Sequence, residues 1–137
     1  MSLFDVLSTA SSALNAQTVR LNLTASNLAN AETVAGTEDE AYRARHAVFA
    51  SKLNEAQPDQ QAVGVEVREI EESQVTLPQI YNPTHPLANE DGFVIASNVN
   101  PIEEMADMIS ASRSYQNNVE VMDTSKELLL RTLQLGR

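Results

Sequence analysis

The amino-acid sequence predicts a mainly α protein with a small β module: long N- and C-terminal helices pair as a coiled-coil-like hairpin, with a short antiparallel β-rich middle domain between them. Three observations carry this prediction. Eight of the nine Gly and Pro residues fall between Gly36 and Pro101 and the ninth is Gly136, so each end runs free of helix breakers for roughly ten turns. Both ends repeat apolar residues at alternating steps of three and four, the pattern of a narrow seam that receives another helix. Charge divides the chain at the same places: residues 1–35 and 101–137 carry nets of −1 and −2, whereas 36–100 hold eleven acids against four bases. The middle is charged like a solvent-facing module and the ends like surfaces meant to be packed. The predicted organisation is therefore a helical core of residues 1–35 and 101–137 and a β-rich, solvent-facing module over 36–100.

In the first helix the seam is Leu3, Leu7, Ala10, Leu14, Gln17, Leu21, Thr24 and Leu28. Ser2 with Asp5 three residues on suits its N-terminus. Ala10, Ala13, Ala16, Ala25, Ala29 and Ala31, with Ser8, Ser11, Ser12 and Ser26, spread small residues over several sides, which lets more than one helix approach closely. The middle offers extended segments at Tyr42–Phe49, Val63–Ile70, Val75–Tyr81 and Phe93–Ala96. "PDQQ", "NPTHP" and "NEDG" supply the turns, and the Pro-rich third segment is expected at a sheet edge or as an arm. The last helix has clear boundaries, with Asn100 as N-cap, Pro101 at the first position, Glu103 completing a capping box, Arg131 in the last turn, Gly136 as the stop and Arg137 just beyond. Its seam is Met105, Met108, Ser112, Tyr115, Val119, Met122, Lys126, Leu129 and Leu133.

Composition limits the chemistry. Leu, Ile, Val and Phe make up 34 of 137 residues, above the roughly 20% at which disorder is the default, but there is no Trp and the aromatic share is only 4%. Such a chain folds with help from partners. The absence of Cys removes disulfides, thiol catalysis and thiolate metal sites. A net charge of −10 argues against nucleic acid and anionic membranes. No apolar run approaches the roughly 20 residues of a membrane span, so direct membrane insertion is not expected. The first basic residue is Arg20, which predicts no cleavable secretory signal of the usual kind.

His46 and His85 are the side chains suited to proton transfer near neutrality, and neither sits in a spacing that would hold zinc. Carboxylates at 38–40, 69–72 and 103–104 read as solvated faces and helix-dipole complements. No catalytic residue, cofactor or metal site is predicted. Two polar knots interrupt the helical ends: Ser26, Asn27 and Asn30, then Ser112, Ser114, Gln116, Asn117 and Asn118. Ser and Asn weaken a helix by competing for its backbone hydrogen bonds, so they must gain something from neighbours. Asn27 and Asn30 read as register devices for subunit docking, satisfied in one packing and unpaired in a slipped one; a frayed helix end is the simpler alternative.

"LNLTASNLANAET" resembles the N-terminal motif of bacterial flagellar axial proteins, the rod and hook group, and "EMADMISASRSYQNNVEVMDTSKELLLRTLQLG" resembles their C-terminal helix. "SLFDVLSTASSALNAQ", "YRARHAVF" and "NEDGFV" extend the likeness over essentially the whole chain, toward the short proximal-rod members of that family. The resemblance implies a non-enzymatic subunit of the basal-body rod. It would be exported through the flagellar type III apparatus without a cleaved signal and assembled helically in the periplasm with copies of itself and other axial proteins. The two terminal helices would form an inner coiled-coil-like layer, with the β module outside. Motif positions carried over are Asn27, Leu28, Ala29, Asn30 and Thr33, then Tyr42 and Arg43, then Met105, Ser112, Arg113, Tyr115, Asn118 and Val119. Together with the seam residues Leu3, Leu7, Leu14, Leu21, Met108, Met122, Leu129 and Leu133 they make the expected subunit interface. Two departures stand out: "VAGTEDEA" intervenes between the motif Thr33 and Tyr42, and Asn117 replaces a small apolar residue. The competing functional reading is a soluble dimeric helical adaptor or export chaperone.

Overall fold

A computed structural model describes residues 3–52 and 64–136; the expectations for Ser2, for the turn at 58–61, for Val63 and for Arg137 lie outside the described residues. In chain order the elements are α1 (Leu3–Ala29), β1 (Val34–Ala35), β2 (Arg45–Lys52), β3 (Gly64–Glu72), β4 (Gln79–Tyr81), β5 (Phe93–Ala96) and α2 (Pro101–Leu135). The two long helices pack on each other with a small antiparallel β region between them in sequence, as expected from the patterning.

Two anchors set the direction of the helix pair. Just past α1, the Ser97 hydroxyl donates to the Ala31 carbonyl, while seven residues into α2 the Asp107 carboxylate accepts from Arg20 and Thr24. Moving forward along α2 therefore moves backward along α1, and the pair is antiparallel. At 1.5 Å per residue, the longer α2 extends about two to three turns beyond the start of α1. Every described residue from Leu130 to Gly136 is exposed.

The start of α2 follows from its sequence. The Asn100 side chain accepts from the Ile102 amide at 3.2 Å, and Pro101 occupies the first turn, where its missing N–H costs nothing. The cap bond goes to the second helical amide, not to the Glu103 amide that the capping-box expectation implies. At the other end Gly136 has φ −91°, so no left-handed cap closes the helix, and Arg131 lies before the last turn. Gly136 is the stop, as expected, since α2 ends at Leu135, but the expectation of Arg131 in the last turn is corrected.

The β region comprises two sheets. In the first, β5 lies between β1 and β4, with Val34 opposite Ala96 and Ile80 opposite Val94. The second is the β2–β3 hairpin, whose register shifts between Val48 and Phe49. β2 begins three residues later than expected, since Tyr42–Ala44 lead into the strand, and of the Val75–Tyr81 segment only Gln79–Tyr81 pairs. β5 has the expected limits. β1 was not anticipated, because two residues are too few for a periodic signal. It lies inside the segment that separates Thr33 from Tyr42, so that departure from the family motif is partly tied down as a strand against β5.

The core is small. Ala35, Leu77, Val94, Ile95, Ala96 and Val99 are buried around β5, Ala10 and Ala111 on the two long helices, and Ala16 on the side of α1 that meets the hairpin. The tight turn before β5 is built by Asn89, whose side chain accepts from the amides of Asp91 and Phe93, and by Gly92 at φ +81°, a conformation that only glycine adopts cheaply. A Cβ there would also press on Tyr81 and Pro83. The Tyr81 ring meets Phe93 edge-on at 5.2 Å.

Candidate assembly surface

The seam of α1 is close to the expected one. Leu3, Leu7, Leu14, Gln17, Leu21 and Leu28 are half-buried, and Ala10 and Thr24 are buried. In α2 one of the two expected columns is in place, with Met108 and Met122 half-buried, Leu129 half-buried and Tyr115 at the edge of exposure. The other column is displaced by one residue. Glu104, Ala111 and Ser125 are buried and Asn118 is half-buried, whereas Met105 and Lys126 face outward and Ser112 and Val119 lie on the flank. Small and polar residues at 111, 118 and 125 allow the helices to approach closely, and Ala111 has no exposed surface at all. Counting apolar residues favours Met105 and Val119 because it ranks size, and backbone approach ranks smallness.

The displacement leaves apolar surface on α2. Ile102, Met105 and Ile109 form a stripe on its first three turns, with Ile109 56% exposed. Val121, Leu128 and Leu135 recur every seven residues along another side, and Leu133 continues the seam beyond the start of α1 at 62% exposure. Seven-residue spacing places side chains on one helical face, while the first stripe lies about a quarter turn or more from the second. α2 therefore presents two differently placed apolar faces in addition to the one covered by α1.

The polar knot of α1 has an answer within the chain. Asn27 is fully buried: its Nδ2 donates to the Arg45 carbonyl at 2.9 Å, and its Oδ1 accepts from the Arg45 amide and from the Tyr42 hydroxyl, each at 3.0 Å. The side chain acts as a short piece of strand, pairing with the first residue of β2. Ser26 shares the Tyr42 hydroxyl at 3.1 Å, and the Arg45 guanidinium stacks over the Tyr42 ring. With its donors and acceptors engaged in this way, Asn27 registers the chain on itself; the expectation that its amide meets a neighbouring copy is corrected. Asn30 lies in the turn after the helix, and its Nδ2 donates to the Ser26 carbonyl. Thr33 is exposed and donates to the Asn30 carbonyl, so neither residue is frayed.

The remaining motif residues fall into two groups. Leu28, Tyr42 and Arg43 are half-buried, and Arg43 donates to the Ser73 carbonyl at 3.4 Å, beside the end of the hairpin. Ala29, Arg113 and Asn117 are exposed, and Asn118 donates to the Ser114 carbonyl within its own helix. The structure also reveals residues that carry no pattern signal. Asn98 accepts from the Ala44 amide and donates to the Val75 carbonyl, binding the entry of β2 to the segment before β4. Arg20 forms a two-point ion pair with Asp107, one contact being Nε to Oδ2 at 3.0 Å. That guanidinium holds the Asp107 carboxyl below its ordinary value, against the opposing effect of burial, and Asp107 in turn raises the Arg20 value.

Among the described residues no group of three His, Asp or Glu could hold a metal ion, and the His85 Nδ1 accepts the Leu87 amide. Among the described residues no helix is long and apolar enough to cross a membrane.

Comparison with known proteins gives matches over both helical ends of the chain. Residues 7–36 match the sequence model for flagella basal body rod proteins, and 90–135 match that of the C-terminal region of flagellar basal body rod FlgEFG proteins. These stretches are α1 with its following turn and strand β1, and β5 with α2. Over the full length of both chains, the protein is 45% identical to the flagellar basal-body rod protein FlgC of Salmonella typhimurium and 46% identical to FlgC of Yersinia enterocolitica. It is 35% identical to FlgC of Bacillus subtilis, again over the whole of both. The chain belongs to the FlgC family of flagellar basal-body rod proteins, a family of structural and non-enzymatic subunits.

Proposed function

We propose that this rod subunit is built into the proximal rod by helix-to-helix contacts on α2, with copies of itself and with other axial proteins. In this reading residues 1–35 and 101–137 form the axial layer and 36–100 face outward. The subunit reaches the periplasm through the flagellar type III export apparatus without a cleaved signal. The observation that carries the reading is the uncovered apolar surface of α2: Ile102, Met105 and Ile109 on one side, Val121, Leu128 and Leu135 on another. Exposed apolar surface of this extent marks an interaction site. Two faces at different azimuths of one helix receive two different neighbours. Such contacts are heterologous and extend an array, whereas a closed dimer uses one self-complementary patch. This disfavours the soluble dimeric adaptor.

The test pairs Ile109→Asp with Glu72→Gln in cells lacking the native protein. Ile109 is more than half exposed in the single chain, so its loss spares the fold while placing a charge in the proposed contact. The expected outcome is normal levels of both variants, normal swimming for Glu72→Gln, and no swimming and no rod incorporation for Ile109→Asp. Equal incorporation of the two removes the role given to α2.

A further inference from the structure

At the junction of α1, α2 and the hairpin, two carboxylates one helical turn apart, Glu104 and Asp107, face Arg20 of α1 and His46 of β2. Asp107 is matched by Arg20 of α1, with Thr24 as an additional donor. Glu104 is matched differently. Its side chain is 5% exposed, its Oε2 has no hydrogen-bond donor, and its Oε1 lies 3.8 Å from the His46 Nε2 of β2, a charge contact longer than a hydrogen bond. A buried carboxylate with a single, weakly engaged counter-charge is costly when that charge disappears. His46 is more than half exposed and borders an open cleft of about 240 Å³ between α1, β2 and α2, so water reaches the imidazole freely.

We propose that His46 and Glu104 form a pH-sensitive latch that holds the β2–β3 hairpin onto α2. Imidazoles as a class exchange their proton between about pH 5 and 8. With His46 protonated the junction holds two cations against two carboxylates. With His46 neutral it holds one, and Arg20 is already committed to Asp107. The other charges facing the imidazole are Glu71, directly opposite on β3, and Arg45, its neighbour on β2. Glu71 is exposed and screened by solvent, and Arg45 is stacked on Tyr42. The positive field of His46 reaches the second carboxylate too, since it contributes to the lowering at Asp107. The latch closes in mild acid and loosens as the medium becomes weakly alkaline.

The test is a double-mutant cycle on the full chain with His46→Gln and Glu104→Gln, read as the unfolding equilibrium at about pH 5.5 and about pH 8. The expected coupling is about fivefold in the folding equilibrium at the lower pH and close to onefold at the higher, the size typical of a partly exposed ion pair. Equal coupling at both values, or none at either, overturns the latch. Amide-exchange protection of Arg45–Lys52, relative to Phe93–Ala96 in the same sample, provides a second readout that needs no global unfolding. In the unmodified chain this ratio is expected to fall about fivefold between the two pH values and to stay level in His46→Gln. A fall of the same size in His46→Gln assigns the pH dependence elsewhere. Both readouts concern the isolated chain, so their outcome is independent of whether α2 docks in the rod.

Discussion

Single buried amides and ion pairs define the register of this molecule. Asn27 occupies the Arg45 amide and carbonyl and the Tyr42 hydroxyl at once, so Asn27→Ala leaves up to three polar groups without their partner. The expected loss is about 2–4 kcal/mol of folding stability, measurable as a lowered urea midpoint. Asn27→Asp keeps the acceptor and loses the donor, and should fall between the two. At Asp107 the sign of the pH effect follows from the direction of the shift. Arg20 holds the folded-state carboxyl below its unfolded value, so the stabilisation is complete above the unfolded value near 3.9 and is lost as the pH falls through the folded one. Arg20→Met should flatten that acid limb of a stability-versus-pH curve. An unchanged acid limb would exclude the pair as its source.

At the scale of elements, the hairpin is held on α1 by a close approach of backbone. The Val65 amide donates to the Ser12 hydroxyl at 3.0 Å, and a Cβ on Gly64 would come within 2.6 Å of the same oxygen. Gly64→Ala should therefore displace β3 from α1 at a cost of about 1–3 kcal/mol. Ser12→Ala in the same chain removes the obstructing oxygen, so the double variant should recover part of the loss in a thermal melt. Additive losses would show that the contact is not the cause. The helix pair teaches a related lesson about reading sequences. Met108, Met122 and Leu129 were legible because large apolar residues at heptad spacing point to a seam. Ala111, Asn118 and Ser125 were not, because their value lies in how closely they admit the facing backbone.

The whole molecule is a helical pair with unequal arms. The last turns of α2, from Leu130 on, make no seam in the single chain, and every described residue there is exposed. In a monomer these turns depend on intrinsic helix propensity alone, which is marginal for a short segment in water. Hydrogen exchange on the isolated chain should show residues 130–135 exchanging far faster than 108–122, and the difference should close once the chain is incorporated into rods. Uniformly slow exchange along α2 in a proven monomer would mean that the tail has no need of a neighbour.

By itself the sequence determined the two helices, the placing of strands β2 to β5 in the middle, the N-cap at Asn100 and the turn at Gly92, together with the family motif. Each is local: breaker positions, apolar period and turn chemistry act within a few residues of one another. Tertiary structure alone decided which column of α2 meets α1, what Asn27 bonds, and that a buried Glu104 stands beside His46. Those outcomes depend on distances between residues dozens of positions apart, and no periodicity encodes them.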